Sequence, residues 1–132
     1  MTLKITLKPN EKMIIGEAVI ANGSSKCEFT IENNVPILRQ NNIISPENAN
    51  TPARRIYLCI QLMYGDKPNI RTHQQLYWKL VREFIQAAPS SLGLIDEINE
   101  LIVSEKYYHA IKKAQKLCDF EQEVIQRVSE CS

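Results

Sequence analysis

The chain has 132 residues and a formal net charge of +1, with 44% apolar and 23% charged residues. That balance belongs to an ordinary folded protein and excludes a disordered tail, and the near-zero charge excludes a global field that would draw the whole molecule to nucleic acid. The length suits one compact core, or a small β part packed on a helical part, and excludes two large independent domains.

The first 44 or so residues carry the period of strands. Leu3, Ile5 and Leu7 alternate with Lys4, Thr6 and Lys8, which predicts a strand with an apolar face and a basic, hydroxyl-bearing face. Pro9-Asn10-Glu11 reads as a turn. A second strand is expected over Lys12 to Ala21, with a bulge or bend at Gly16-Glu17. Asn22-Gly23 is the strongest hairpin signal in the chain, and Ser24-Ser25 lengthens the loop. A third strand, Lys26 to Glu32, alternates Cys27, Phe29 and Ile31 with polar residues, and Asn33-Asn34 supplies the next turn. The fourth, Val35 to Ile44, opens with a Pro36 suited to an edge. Four such strands form a meander that cannot bury both faces alone.

Helical signals take over after the polar loop Ser45 to Thr51. Thr51-Pro52 offers a hydroxyl N-cap and a proline at the first helical position. The segment to Tyr64 is apolar on nearly every side; cap and length favour a buried helix over a strand from Ile56 onward, and Gly65-Asp66 ends it. A second helix runs from about Arg71 to Ala88, with Leu76, Leu80 and Phe84 on one stripe, and Pro89 closes it. Ser90 or Ser91 caps a third helix, with Leu94, Ile95, Ile98, Leu101 and Ile102 inward. Ser104 caps a fourth in which Tyr107, Ile111, Ala114, Leu117, Val124 and Val128 recur at helical steps, so the last two helices form an antiparallel hairpin. The fold class is α+β: residues 1–50 make an antiparallel four-stranded β part, a candidate RNA-binding part, and residues 51–132 a bundle of three to four helices sharing its core.

No apolar run approaches the roughly 20 residues that span a bilayer, and the alternating opening is not the apolar core of a signal peptide, so a cytoplasmic protein is expected. Cys27, Cys59, Cys118 and Cys131 lack metal-ligand spacing and read as core fillers, with Cys131 a loose terminal thiol. His73 and His109 have no partner at ligand or triad spacing and read as surface or rim residues. Asp96, Glu97 and Glu100 fall on an outward helix face, and no phosphate-binding glycine pattern is present. Neither an enzyme, a cofactor nor a metal site is expected.

Nucleic-acid contact has more support. Residues 1–55 hold seven basic residues against five acidic ones, among the former Lys4, Lys8, Arg39, Arg54 and Arg55. Lys4, Thr6 and Lys8 project from one strand face about 7 Å apart, a spacing suited to a single-stranded backbone. Tyr77-Trp78 sit at helical spacing beside core positions, and packing is the stronger reading for them than base stacking. Lys106, Lys112, Lys113 and Lys116 make one side of the last helix basic, and with Glu105, Glu121 and Glu123 nearby that surface reads as solubilising.

Two resemblances sharpen this. The opening Leu3-Lys-Ile-Thr-Leu-Lys-Pro-Asn-Glu-Lys, the middle Phe29-Thr-Ile-Glu-Asn, and the block Thr51-Pro-Ala-Arg-Arg-Ile-Tyr continuing through Ile60-Gln-Leu-Met are similar to the FlbT family. That resemblance implies post-transcriptional control of flagellum biosynthesis through the untranslated leader of flagellin mRNA, repressing or activating, alongside a partner, FlaF, that acts in the opposite direction. Over the first 44 or so residues the chain also resembles the carbon storage regulator family, through Ile5-Thr-Leu-Lys-Pro-Asn-Glu-Lys-Met-Ile-Ile-Gly and Val35 to Ile44. This second resemblance implies an interlaced β homodimer that binds RNA with its first and last strands. By position it puts Lys8 and Arg39 on RNA-contacting sites, while Leu7 and Leu38 replace a basic residue and a histidine. The RNA-contact candidates are therefore Lys4, Thr6, Lys8, Arg39, Arg54 and Arg55. The other reading is a protein-binding adaptor or chaperone for FlaF, flagellin or another flagellar protein, with its helices forming the groove.

Overall fold

The computed structural model of the protein describes residues 2–131, with side chains described through residue 129. Two compact units divide the chain, Met1–Ile43 and Ile44–Ser132. The α+β class holds, with five strands and four α-helices among the described residues.

The first unit contains β1 (Leu3–Leu7), β2 (Lys12–Ile15), β3 (Ala18–Ala21), β4 (Cys27–Ile31) and β5 (Ile37–Arg39). They form two antiparallel sheets, one pairing β1 with β4, the other in the order β3-β2-β5. The expected four-stranded meander is therefore corrected in two places. The second strand is two strands, because Gly16 takes φ +61° and folds β2 directly back on β3, pairing Ile15 with Ala18. A glycine with positive φ at the first central position is the geometry of a type II′ hairpin turn. Asn22-Gly23, read as a hairpin, instead carries the chain from one sheet to the other, since β4 pairs with β1 and not with β3. The long last strand shortens to three residues and runs into a 3-10 turn at Gln40–Asn42.

Ile5, Leu7 and Met13 make the core of this unit, with Ile15, Cys27, Phe29, Ile31 and Ile37 packed on it. Interleaving the sheets lets one chain bury these residues. The cover that a thin meander lacks is thus supplied for this cluster within the chain.

In the second unit, α1 (Pro52–Gly65) follows Thr51, whose hydroxyl accepts from the Arg54 N–H at 3.3 Å. Helix α1 buries Ala53, Ile56, Tyr57, Cys59, Ile60 and Met63, and it packs against both α2 (Ile70–Ala87) and α4 (Tyr107–Cys131). Helix α3 (Leu92–Val103) packs against α4, as the antiparallel hairpin requires. The polar segment before α1 is fastened by Gln61, a nearly buried amide that accepts from the Ile44 N–H at 2.9 Å and donates to the Ile44 carbonyl at 3.1 Å. The third helix lacks the expected serine cap: the Ser91 hydroxyl donates back to the Ala88 carbonyl at 2.6 Å. Helix α4 begins at Tyr107, after Glu105 takes φ +60°, and not directly at Ser104.

Gly16 has no atom within 4 Å of where a Cβ would stand, so an added methyl meets only the conformational penalty of positive φ. Gly16→Ala should therefore cost about 1–2 kcal/mol in chemical denaturation, the usual penalty for a left-handed non-glycine residue. Asn10, also at positive φ (63°), should tolerate Asn10→Gly without loss.

Candidate functional site

Strand β1 sets Lys4 and Thr6 on one face and the buried Ile5 and Leu7 on the other. Lys4 is exposed and lies 3.7 Å from Glu28. The register places Thr6 opposite Glu28 and Lys4 opposite Thr30, so this face carries one carboxylate among its cations and hydroxyls. Lys8 follows the strand with its side chain exposed. Its backbone starts a tight turn in which the Glu11 N–H donates to the Lys8 carbonyl at 3.1 Å, while the Lys8 N–H donates to Glu11 Oε1 at 2.9 Å. Proline second in the turn and Asn10 at φ 63° third suit a type II turn.

Arg39 is engaged by groups of its own unit. Its Nη2 donates to the Thr6 carbonyl at 2.8 Å and to Glu11 Oε2 at 3.4 Å. The guanidinium thus ties β5 to the β1 backbone and the Lys8–Glu11 turn, and its side chain is 40% exposed. Leu38 beside it is buried and offers no polar group. The Asn22 amide closes the same corner, donating to the carbonyls of Leu7, Lys8 and Ser25 at 3.3, 2.7 and 3.0 Å.

The structure brings Lys4, Thr6, Lys8 and Arg39 together in the first unit. Arg54 and Arg55 belong to α1 in the second. Arg54 Nη1 donates to Asn50 Oδ1 at 3.0 Å. Arg55 is exposed and lines a cavity of about 400 Å³ with apolar residues of α2 and α4. The same cavity is lined by Glu121, which the sequence reading set among solubilising residues and which is in fact buried, 8% exposed. Glu121 Oε2 accepts the Ala53 N–H at 2.9 Å. The signal was available: Glu121 stands four residues after Leu117 and three before Val124, on the apolar stripe itself.

The remaining reactive groups are structural. Burial pushes the Cys59 thiol up to about 11, and burial together with the neighbouring Glu121 charge does the same for Cys118, which keeps both as unreactive thiols. The side chain of Cys131 lies outside the described residues. Tyr77 is buried and donates to Asn99 Oδ1 at 2.6 Å, whereas Trp78 is partly exposed, which corrects its assignment to the core. His73 has a partner after all, Asp66 at 2.9 Å across the α1–α2 turn. Among the described residues no group of three or more His, Cys, Asp or Glu could hold a metal ion, and no helix is long and apolar enough to cross a membrane. The basic side of α4 is partly engaged, with Lys112 5.6 Å over the Tyr108 ring and Lys113 3.0 Å from Glu97.

The sequence profile of the family described as flagellar protein FlbT matches residues 3–125. The chain belongs to the FlbT family. It is 43% identical over 125 residues to the probable flagellum biosynthesis repressor protein FlbT 1 of Bradyrhizobium diazoefficiens, covering 94% of this chain and 85% of that one. It is 39% identical to the probable flagellum biosynthesis repressor protein FlbT of Rhodopseudomonas palustris, over 96% of this chain and all of that one. The flagellum biosynthesis repressor protein FlbT of Caulobacter vibrioides is 30% identical, over 98% of this chain and 93% of its own. No solved structure matches. In this FlbT chain the family-like block from Thr51 to Met63 is the capped, buried helix α1.

Glu11 links this geometry to pH. The Lys8 N–H, first, and the Arg39 guanidinium hold its carboxyl below the usual 4.5. A carboxyl with a depressed folded value stabilises the fold fully above its unfolded value and loses that contribution as pH falls through the folded one. The difference in stability between the native chain and Glu11→Gln should therefore be largest above about pH 4.5 and shrink below it, read from denaturation midpoints across an acid series.

Proposed function

We propose that this FlbT chain is a post-transcriptional regulator of flagellum biosynthesis that associates with the untranslated leader of flagellin mRNA and controls its translation or degradation. Its relatives' name, flagellum biosynthesis repressor, supports the flagellar process. The RNA contact rests on one observation: Lys4 and Thr6 face outward from β1, whose other face is locked in the core, and Lys8, just past the end of that strand, is exposed.

A strand positions cations more firmly than a loop does, and side chains about 7 Å apart along one face follow the repeat of a single-stranded phosphate backbone, with Lys4 and Lys8 two such steps apart. Thr6 adds a hydroxyl between them. Arg39 acts from behind, as a positioning residue: by holding the Thr6 carbonyl and Glu11 it fixes the strand edge and the turn that carries Lys8. Because the net charge is +1, attraction to RNA is local to this face.

The double variant Lys4→Ala/Lys8→Ala should weaken binding of the flagellin leader and flatten its salt dependence by about 1.4 in the log–log slope, two single-stranded phosphate contacts. Lys112→Ala, on the helical unit, serves as the control and should leave both unchanged. Arg39→Ala should lower the midpoint of denaturation as well as binding. Equal losses at Lys112 and at the strand pair, in gel-shift titrations over several salt concentrations, would sink this reading.

A further inference from the structure

The cavity in the helical unit lies between the C-terminal end of α2 and the C-terminal half of α4, over the first turn of α1. Leu80, Phe84 and Ala88 form one wall and Phe120, Val124 and Ile125 the other. Eight residues of α2 make that wall about 12 Å long, two helical turns. From Ile125, itself 49% exposed, the apolar path continues along α4 in the open to Val128, 65% exposed.

The lining of this groove contains one charged group that is buried. Glu121 is more than nine-tenths buried, and only half of its carboxylate is used. Oε2 takes the Ala53 N–H, but Oε1 is shielded from solvent and has no hydrogen-bond partner. Nearly all buried polar atoms are paired, and a buried carboxylate oxygen without a donor, on a residue that lines the cavity, is a specific deficiency. Glu83, on the α2 side, adds a second negative group to the lining, against the single cation of Arg55.

We infer that this groove is a docking site for an amphipathic helix of a partner protein, one that carries a lysine or arginine within its apolar stripe. The cation's donor completes Glu121 Oε1, and its methylene stem lies along the apolar walls, as long basic side chains do. A helix is the fitting occupant because the walls run for two turns and the exposed stripe extends past the cavity to Val128, farther than a small ligand would cover. The inference does not depend on RNA binding, which is assigned to residues of the other unit.

The test uses the full chain and a displayed library of 18-residue helical peptides with apolar residues at i, i+3, i+4 and i+7 and the positions between them randomised. Selection should enrich Lys or Arg at a position flanked by the apolar residues. Glu121→Gln keeps an oxygen for the Ala53 N–H, so a circular-dichroism melt should show it folded, yet a selected peptide should bind it tenfold or more weakly by fluorescence anisotropy. Ala87→Arg, at the exposed rim, should block the same peptide. No enrichment of a cation, or equal affinity for native chain and Glu121→Gln, overturns the inference. Self-association in sedimentation that Ala87→Arg abolishes would overturn it in favour of a second copy of this chain, and saturation by octylamine in the absence of peptide binding would do so in favour of a small amine.

Discussion

Helix α1 is buried on nearly every side, and a helix that is taken out of water must find partners for the N–H groups of its first turn. This constraint organises the second unit. The Thr51 hydroxyl takes one donor, the Arg54 N–H, and Glu121, far along the chain on α4, takes another, the Ala53 N–H. A hydroxyl cap alone contributes about 1 kcal/mol, whereas a buried N–H left unmet costs about 1–3 kcal/mol. A carboxylate is the apt second acceptor because its charge also faces the positive end of the α1 dipole. The last helix is therefore pinned to the start of the first, and the end of α2 must share what space is left beside them. The cleft between α2 and α4 follows from that arrangement.

Much of the helical half was legible in the sequence, because caps and breakers act locally. Thr51-Pro52, Gly65-Asp66 and Pro89 mark ends that the structure places within a residue or two. What escaped were the long-range polar ties. Gln61 and Glu121 each sit on an apolar helix face, where hydrophobic periodicity counts them as interruptions. Their partners, the backbone of Ile44 and of Ala53, are set by tertiary packing and leave no sequence pattern.

The β half was legible strand by strand and misleading in its connections. Alternation located β1 and β4, each of which turns one face to the core, whereas β3 buries no residue. Turn chemistry alone could not say which strands pair. Gly16 makes the hairpin because it reaches positive φ between two short strands, whereas Asn22-Gly23 uses comparable residues to cross between sheets. The candidate contact face shows the same division. Lys4 and Thr6 project outward as alternation requires, but Arg39, equally basic and on a strand, is engaged by Thr6 and Glu11. A cation's sequence position did not reveal whether its charge faces solvent or holds the fold.

The corner closed by Asn22 carries one more implication. A single side-chain amide there faces three backbone carbonyls, those of Leu7, Lys8 and Ser25, while its own oxygen accepts the Gly23 N–H. Only a donor can fill that position. Asparagine followed by glycine is also the pair whose side chain most readily hydrolyses through cyclisation onto the next backbone nitrogen, and the product, an acid, would set negative charge against three oxygens. Conversion of the residue that closes the β1 corner to aspartate would thus release the end of β1 and the turn bearing Lys8, while leaving the helical unit's own ties untouched.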